Sequence, residues 1–83
     1  MDMLFISLLL PKGKGSEAVK YIKELKAPKG IVIKEVYFTF GRFDGAIIFE
    51  ASDVKTAMKF AMEIGNATDY TIETLTAVPA REV

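Results

Sequence analysis

No cysteine, no histidine and no tryptophan occur among the 83 residues; glutamine is missing too, and Asn66 is the lone asparagine. Each absence removes a class of chemistry. Without cysteine there are no disulfides, no thiolate nucleophile and no sulfur ligand for zinc. Without histidine there is no imidazole to act as a base near neutral pH or to bind a metal. Long apolar runs are scarce as well. The longest, Met3 to Leu10, falls far short of the roughly 20 residues of a membrane-spanning helix. Asp2 stands where a secretory leader would carry basic residues, and no small-residue cleavage pattern follows. The run is therefore read as a buried strand, and a cytoplasmic location is expected.

Net charge is also lacking, since 11 basic residues balance 11 acidic ones. Nothing in that balance draws the chain to nucleic acid or to an anionic membrane. Between Lys12 and Lys34 seven lysines outnumber Glu17 and Glu24, which reads as a solvated helix face with its flanking loops. What the chain has in quantity is apolar side chains, at 51%. A chain this short forms one domain, residues 1–83, and buries only about 60–65% of its unfolded surface. With disulfides unavailable and metal ligands few, association with further copies is the expected remedy for a marginal core.

The order of elements follows from periodicity and punctuation. Met3 to Leu10 is closed by Pro11, Gly13 and Gly15. Ser16 is placed as an N-cap with Glu17 in the first turn, and Ala18, Val19, Ile22 and Leu25 recur at helical spacing to about Lys26, where Pro28 and Gly30 intervene. Ile31 to Phe40 is β-branched and aromatic. Val32, Lys34, Val36, Phe38 and Phe40 fall on one side, and Ile33, Glu35, Tyr37 and Thr39 on the other, with Lys34 marking an edge. Gly41 to Asp44 is short enough to force an antiparallel hairpin with Gly45 to Ala51. In that turn Gly41 is assigned unusual backbone angles, and Asp44 bonds to the turn's own amides.

Ser52 or Asp53 caps a second helix with an inward stripe of Val54, Ala57, Met58, Ala61 and Ile64 and with Phe60 on the flank. Met58 and Met62 read as core or flank filler. Gly65 and Asn66 are expected to end this helix in a left-handed cap, before a last strand from Thr71 to Val78. Strand, helix, strand, strand, helix, strand with right-handed crossovers gives a ferredoxin-like α+β fold: a four-stranded antiparallel sheet with two helices on one face. The helix-facing set of the hairpin is assigned as Val36, Phe38, Phe40, Ile47 and Phe49. The open face then carries Ile33, Glu35, Tyr37, Thr39, Ala46, Ile48 and Glu50, a mixture suited to a sheet that packs on a second copy around a semi-polar cavity.

"GRFDGAIIFEA" followed after a helix by "IETLTA" resembles the GYD domain, with its Gly Arg Tyr Asp turn, a strand ending in Glu Ala and a last strand reading Thr Glu Thr Leu. The similarity runs from about Glu35 to Val78, with Phe43 in place of the tyrosine and Ile72 in place of the first threonine. The resemblance implies a dimer of the α/β-barrel type and no established activity. A more distant resemblance is to the effector-binding domain of leucine-responsive regulators, which implies a stand-alone module that binds a small ligand between subunits.

Candidate ligand-binding residues are Tyr37, Thr39, Arg42 and Glu50. A phenol on the open face can orient a ligand, and an arginine fork can meet a carboxylate or pair with Asp44. Glu35 and Glu50 could form an acid and base pair if burial raised one pKa. "PKGKG" lacks the spacing of a phosphate-binding loop. Asp44, Glu50 and Glu73 could supply at best a hard-cation site, so no metal and no cofactor is expected. RNA recognition on this strand order needs two stacking aromatics on the third strand, where Asp44 and Ala46 stand instead. Two functions remain open: a homodimeric small-molecule-binding module, and a small enzyme using Tyr37, Arg42 and glutamates.

Overall fold

A computed structural model describes residues 2–11 and 16–83. The chain runs β1 (Met3–Pro11), α1 (Ser16–Lys23), β2 (Ile31–Phe38), β3 (Gly45–Ala51), α2 (Val54–Ala67) and β4 (Tyr70–Ala77), and closes with a 3₁₀ turn, Ala80–Glu82. The four strands form one antiparallel sheet in the order β2-β3-β1-β4. This is the ferredoxin-like α+β arrangement. β1 and β3 have hydrogen-bonded neighbours on both sides and β2 and β4 are the edge strands.

Alternation along the central strands sends Phe5, Ser7 and Leu9 of β1 and Ile47, Phe49 and Ala51 of β3 to one face, where all six are buried. Ala18 and Ile22 of α1 and Ala57, Phe60 and Ile64 of α2 join them in one core, so both helices lie on that face. Phe49 is the hub. Its ring stacks on Phe5 at 5.5 Å and meets the edge of Phe60 at 4.9 Å and 76°, geometries that aromatic quadrupoles favour. Ser7, fully buried, exchanges a 2.8 Å hydrogen bond with the Thr74 hydroxyl on the adjacent strand.

Several local expectations are corrected. Phe60 is 3% exposed while Val54 and Met58 are 47% and 55% exposed, so the inward stripe of α2 is rotated from the one assigned above. Val19 likewise faces out of α1, which ends at Lys23 and not Lys26. Gly65 and Asn66 lie inside α2, which stops at Thr68 in an extended conformation. The Thr68 hydroxyl donates to the Ile64 carbonyl and accepts from the Tyr70 amide, satisfying the helix end without a left-handed residue. At the other end Asp53 is the N-cap, accepting from the Thr56 amide at 2.7 Å. The Ser16 and Glu17 side chains, on which the expected cap falls, and residues 12–15 of the PKGKG segment lie outside the described residues.

β2 carries the largest departure. Ile33 pairs with Phe49 and Glu35 with Ile48, so Lys34 is the extra residue of a β-bulge. Before the bulge Ile31 and Ile33 turn to the covered face and Val32 to the open one, the reverse of simple alternation. After it Val36 and Phe38 take the covered side, as expected, and Glu35 and Tyr37 the open side. Phe40 is fully exposed and belongs to neither face. Gly41 has no left-handed backbone; that conformation falls on Gly30, with φ 90°, at the entrance to β2.

Candidate functional site

The face turned away from the helices is built in rows across the strands. The middle row reads Glu35, Ile48, Ile6 and Leu75. On one side of it lie Tyr37, Ala46, Leu8 and Glu73, and on the other Val32, Glu50, Leu4 and Ala77. The centre is aliphatic; Glu35 and Glu73 stand at row ends, on the edge strands β2 and β4, and Glu50 stands one place in, on β3. Leu4, Ile6, Leu8 and Leu10 of β1 are only half-buried although they belong to a central strand. Tyr37 and Leu75 are 50% and 45% exposed. No described element covers this face.

The sequence-based candidates separate into two groups on it. Tyr37, opposite Ala46, stands at the end of the face nearest the β2–β3 turn. Thr39 and Arg42 belong to that turn. They border a shallow hollow of ≈240 Å³ together with Leu8, Phe43 and Ala46. Glu50 is opposite Val32, four residues further along β3, or about 13 Å from the Tyr37 row at 3.3 Å per residue. Within one subunit the structure therefore brings Tyr37, Thr39 and Arg42 together and leaves Glu50 at the far end. Glu35 and Glu50 are diagonal neighbours on the same face, with Glu35 exposed and Glu50 half-buried.

The turn is held by main-chain groups. The Thr39 amide donates to the Asp44 carbonyl at 2.8 Å, and the Asp44 amide donates to the Leu9 carbonyl at 2.7 Å, tying the turn to β1. The Thr39 hydroxyl donates to the Phe43 carbonyl. Asp44 thus serves through its backbone, where its side chain was expected to act. Arg42 lies over the Phe43 ring, 5.6 Å from its centre, in place of the ion pair considered with Asp44. Gly45 is required by space: a Cβ there would stand 2.7 Å from the Tyr37 carbonyl oxygen. Asp53 and Tyr70 titrate away from their ordinary values for reasons of the fold. Hydrogen bonds from Thr56 lower the Asp53 carboxyl, and burial, with the Asp44 charge second, raises the Tyr70 phenol.

The apolar stripe of β1 and Leu75 is the part of this face that sequence reading passed over. A strand with apolar residues at nearly every position announces no face, and only the register with β3 and β4 divides it. Among the described residues no three carboxylates gather as a metal site would need, and no helix is long and apolar enough to cross a membrane.

Comparison with known proteins bears on the whole of this arrangement. The family model of the GYD domain matches residues 10–83. The crystal structure of PH0061 superposes with a TM-score of 0.66 over 99% of this chain and 55% of that one, at 22% identity. The chain thus spans about half the length of that protein, and the likeness carries the fold alone. No functionally curated protein matches.

Proposed function

The chain belongs to the GYD domain family, and on that premise we propose that it is a homodimeric small-molecule-binding module whose pocket lies between two open sheet faces. The observation that carries this reading is the uncovered aliphatic centre of the face: Ile6, Leu8, Ile48 and Leu75 side by side. Four strands about 4.8 Å apart and about eight residues long present roughly 500 Å² in projection. Two such faces approach the ~1,000 Å² floor for specific association. Glu35 and Glu73, on the edge strands, keep the rim wet while the centre dries.

A two-fold axis running across the strands lays the turn end of one copy against the far end of the other. Tyr37, Thr39 and Arg42 of one subunit then meet the partner's Glu50, which completes the four-residue set that one chain leaves divided. A phenol, a guanidinium and a carboxylate around an aliphatic floor suit a small zwitterionic or hydroxylated metabolite. The two perturbed groups, Asp53 and Tyr70, belong to a helix cap and to the core, so their shifts speak for the fold and not for a proton-transfer site.

Sedimentation equilibrium tests the interface through Ile48→Lys, placed at the centre of the face. The wild-type chain is expected to self-associate at micromolar concentration and the variant to lose that contact while keeping its circular dichroism. A monomeric wild type would end the reading. Thermal shift with the common amino acids as probes tests the pocket, with stabilisation expected in wild type and reduced in Tyr37→Phe and Arg42→Ala.

A further inference from the structure

A second apolar surface lies on the opposite side of the molecule. Val54, Met58 and Met62 follow one another at four-residue spacing along α2 and are 47%, 55% and 62% exposed. They form a ridge. On its β4 side a groove of ≈570 Å³ runs between helix and strand, floored by Ala57, Ala61 and Gly65 and walled by Ile72, Thr74 and Thr76. On its other side runs the polar row Lys55, Lys59 and Glu63, all exposed. An exposed methionine ridge between a groove and a charged row is an unusual way to finish a solvated helix, because methionine side chains exposed at this level gain nothing from water.

We infer that this ridge is a second self-association surface, on which α2 packs antiparallel against α2 of another copy. Two features of the helix make it complementary to itself. The first is shape: a ridge of residues four apart fits the groove beside the same ridge on a second helix, the commonest mode of helix packing. An antiparallel two-fold centred near residue 60 sets Met58 against the partner's Met62 and Val54 against the partner's Asn66. The second is charge. Lys55 and Lys59 occupy the N-terminal half of the outer face and Glu63 the C-terminal half. Antiparallel pairing therefore lays the basic half on the acidic half, with Lys59 facing the partner's Glu63 twice across the axis. Parallel pairing would set lysine against lysine. The antiparallel arrangement also opposes the helix dipoles.

This surface shares no residue with the open sheet face, so the two contacts are independent. If both form, the assembly grows beyond two copies.

Sedimentation equilibrium of the purified 83-residue chain tests the inference through two sets of variants. Met58→Lys/Met62→Lys replaces side chains that are already exposed, so the fold is expected to stay intact by circular dichroism. The mass at high micromolar concentration is expected to fall at least two-fold relative to wild type. That fall is from two copies to one if the sheet faces do not associate, and from a larger assembly to two copies if they do, so failure of either contact is read separately. Glu63→Lys makes both cross-axis pairs repulsive and is expected to weaken association about ten-fold at low salt, less at 1 M salt. The exchange Lys59→Glu/Glu63→Lys restores the pairs and is expected to recover the wild-type mass. An unchanged mass in Met58→Lys/Met62→Lys would overturn the inference, whatever else the groove then binds. Failure of the exchange to rescue Glu63→Lys would overturn the antiparallel register.

Discussion

Phe49 and Ile48 are neighbours in the chain and belong to different problems. Phe49 faces the helices, has no exposed surface and touches two aromatic rings. Ile48 faces away from them, stays half-buried and has Glu35, Ile6 and Leu75 in its row. The covered face is filled by complementary shapes and holds a buried polar side chain, Ser7, whose hydroxyl is bonded. The open face has an aliphatic centre without an aromatic cluster and carries three glutamates, Glu35 and Glu73 on its edge strands and Glu50 on β3. A surface finished for water would alternate polar groups through its centre, and a core would exclude the carboxylates. The difference separates residues that hold one chain together from residues available to a second chain.

The sharpest way to break that separation is to truncate each neighbour in turn. Phe49→Ala leaves a cavity between Phe5 and Phe60 and is expected to cost about 3–5 kcal/mol in urea unfolding. That is a large fraction of what an 83-residue domain possesses, so the variant is expected to be largely unfolded near 37 °C. Ile48→Lys should move the other quantity. Association through the open face would make the wild-type urea midpoint rise with protein concentration; in the variant that dependence is expected to weaken, and to vanish when Met58→Lys/Met62→Lys is added. A midpoint equally insensitive to concentration in both proteins would remove the distinction between the faces.

A smaller effect sharpens the comparison from within the covered face. Ser7→Ala removes a hydroxyl that has no access to water and leaves Thr74 without its partner. The expected loss is about 1 kcal/mol. Thr74→Val in the same chain should recover part of it, because both polar groups are then gone. Additive losses in the double variant would mean that the two hydroxyls do not act as a pair.

How far the amino-acid sequence discloses this arrangement differs between the faces. Element order, antiparallel sheet and a helix cap at Ser52 or Asp53 all follow from spacing and punctuation, because each rests on local chemistry; the structure picks Asp53. The open-face positions of Ala46, Ile48 and Glu50 also follow, since β3 alternates without interruption, and so do those of Glu35 and Tyr37, which lie beyond the interruption in β2. Val32 and Ile33 are misplaced by alternation because a bulge at Lys34 inserts one residue, and no residue type marks it. α2 misleads for a different reason. Val54, Met58 and Met62 add an apolar row to Ala57, Phe60, Ala61 and Ile64, so the apolar arc is wider than the one face the sheet can cover. The excess row is the one inferred here to meet another copy. Partner and core use the same residue types, and a single sequence does not say which row meets which.

The subtlest expected effect concerns the lid over the covered face. Asp53 accepts from the Thr56 amide at the start of α2, and that bond holds its carboxyl below the ordinary value of 3.8. A carboxyl lowered in the folded state stabilises the fold above its unfolded pKa, and the contribution disappears as pH falls through the lower, folded value. α2 should therefore lose part of its anchoring below about pH 4. Asparagine caps a helix nearly as well as aspartate and carries no proton to gain. Asp53→Asn is accordingly expected to melt close to wild type at pH 3 and somewhat below it at pH 7, with a shallower acid limb between them. Asp53→Ala should melt below wild type at neutral pH by more than the asparagine variant. Parallel acid limbs in wild type and Asp53→Asn would show that the carboxyl contributes through its shape alone, and that the dependence on acid comes from elsewhere in the fold.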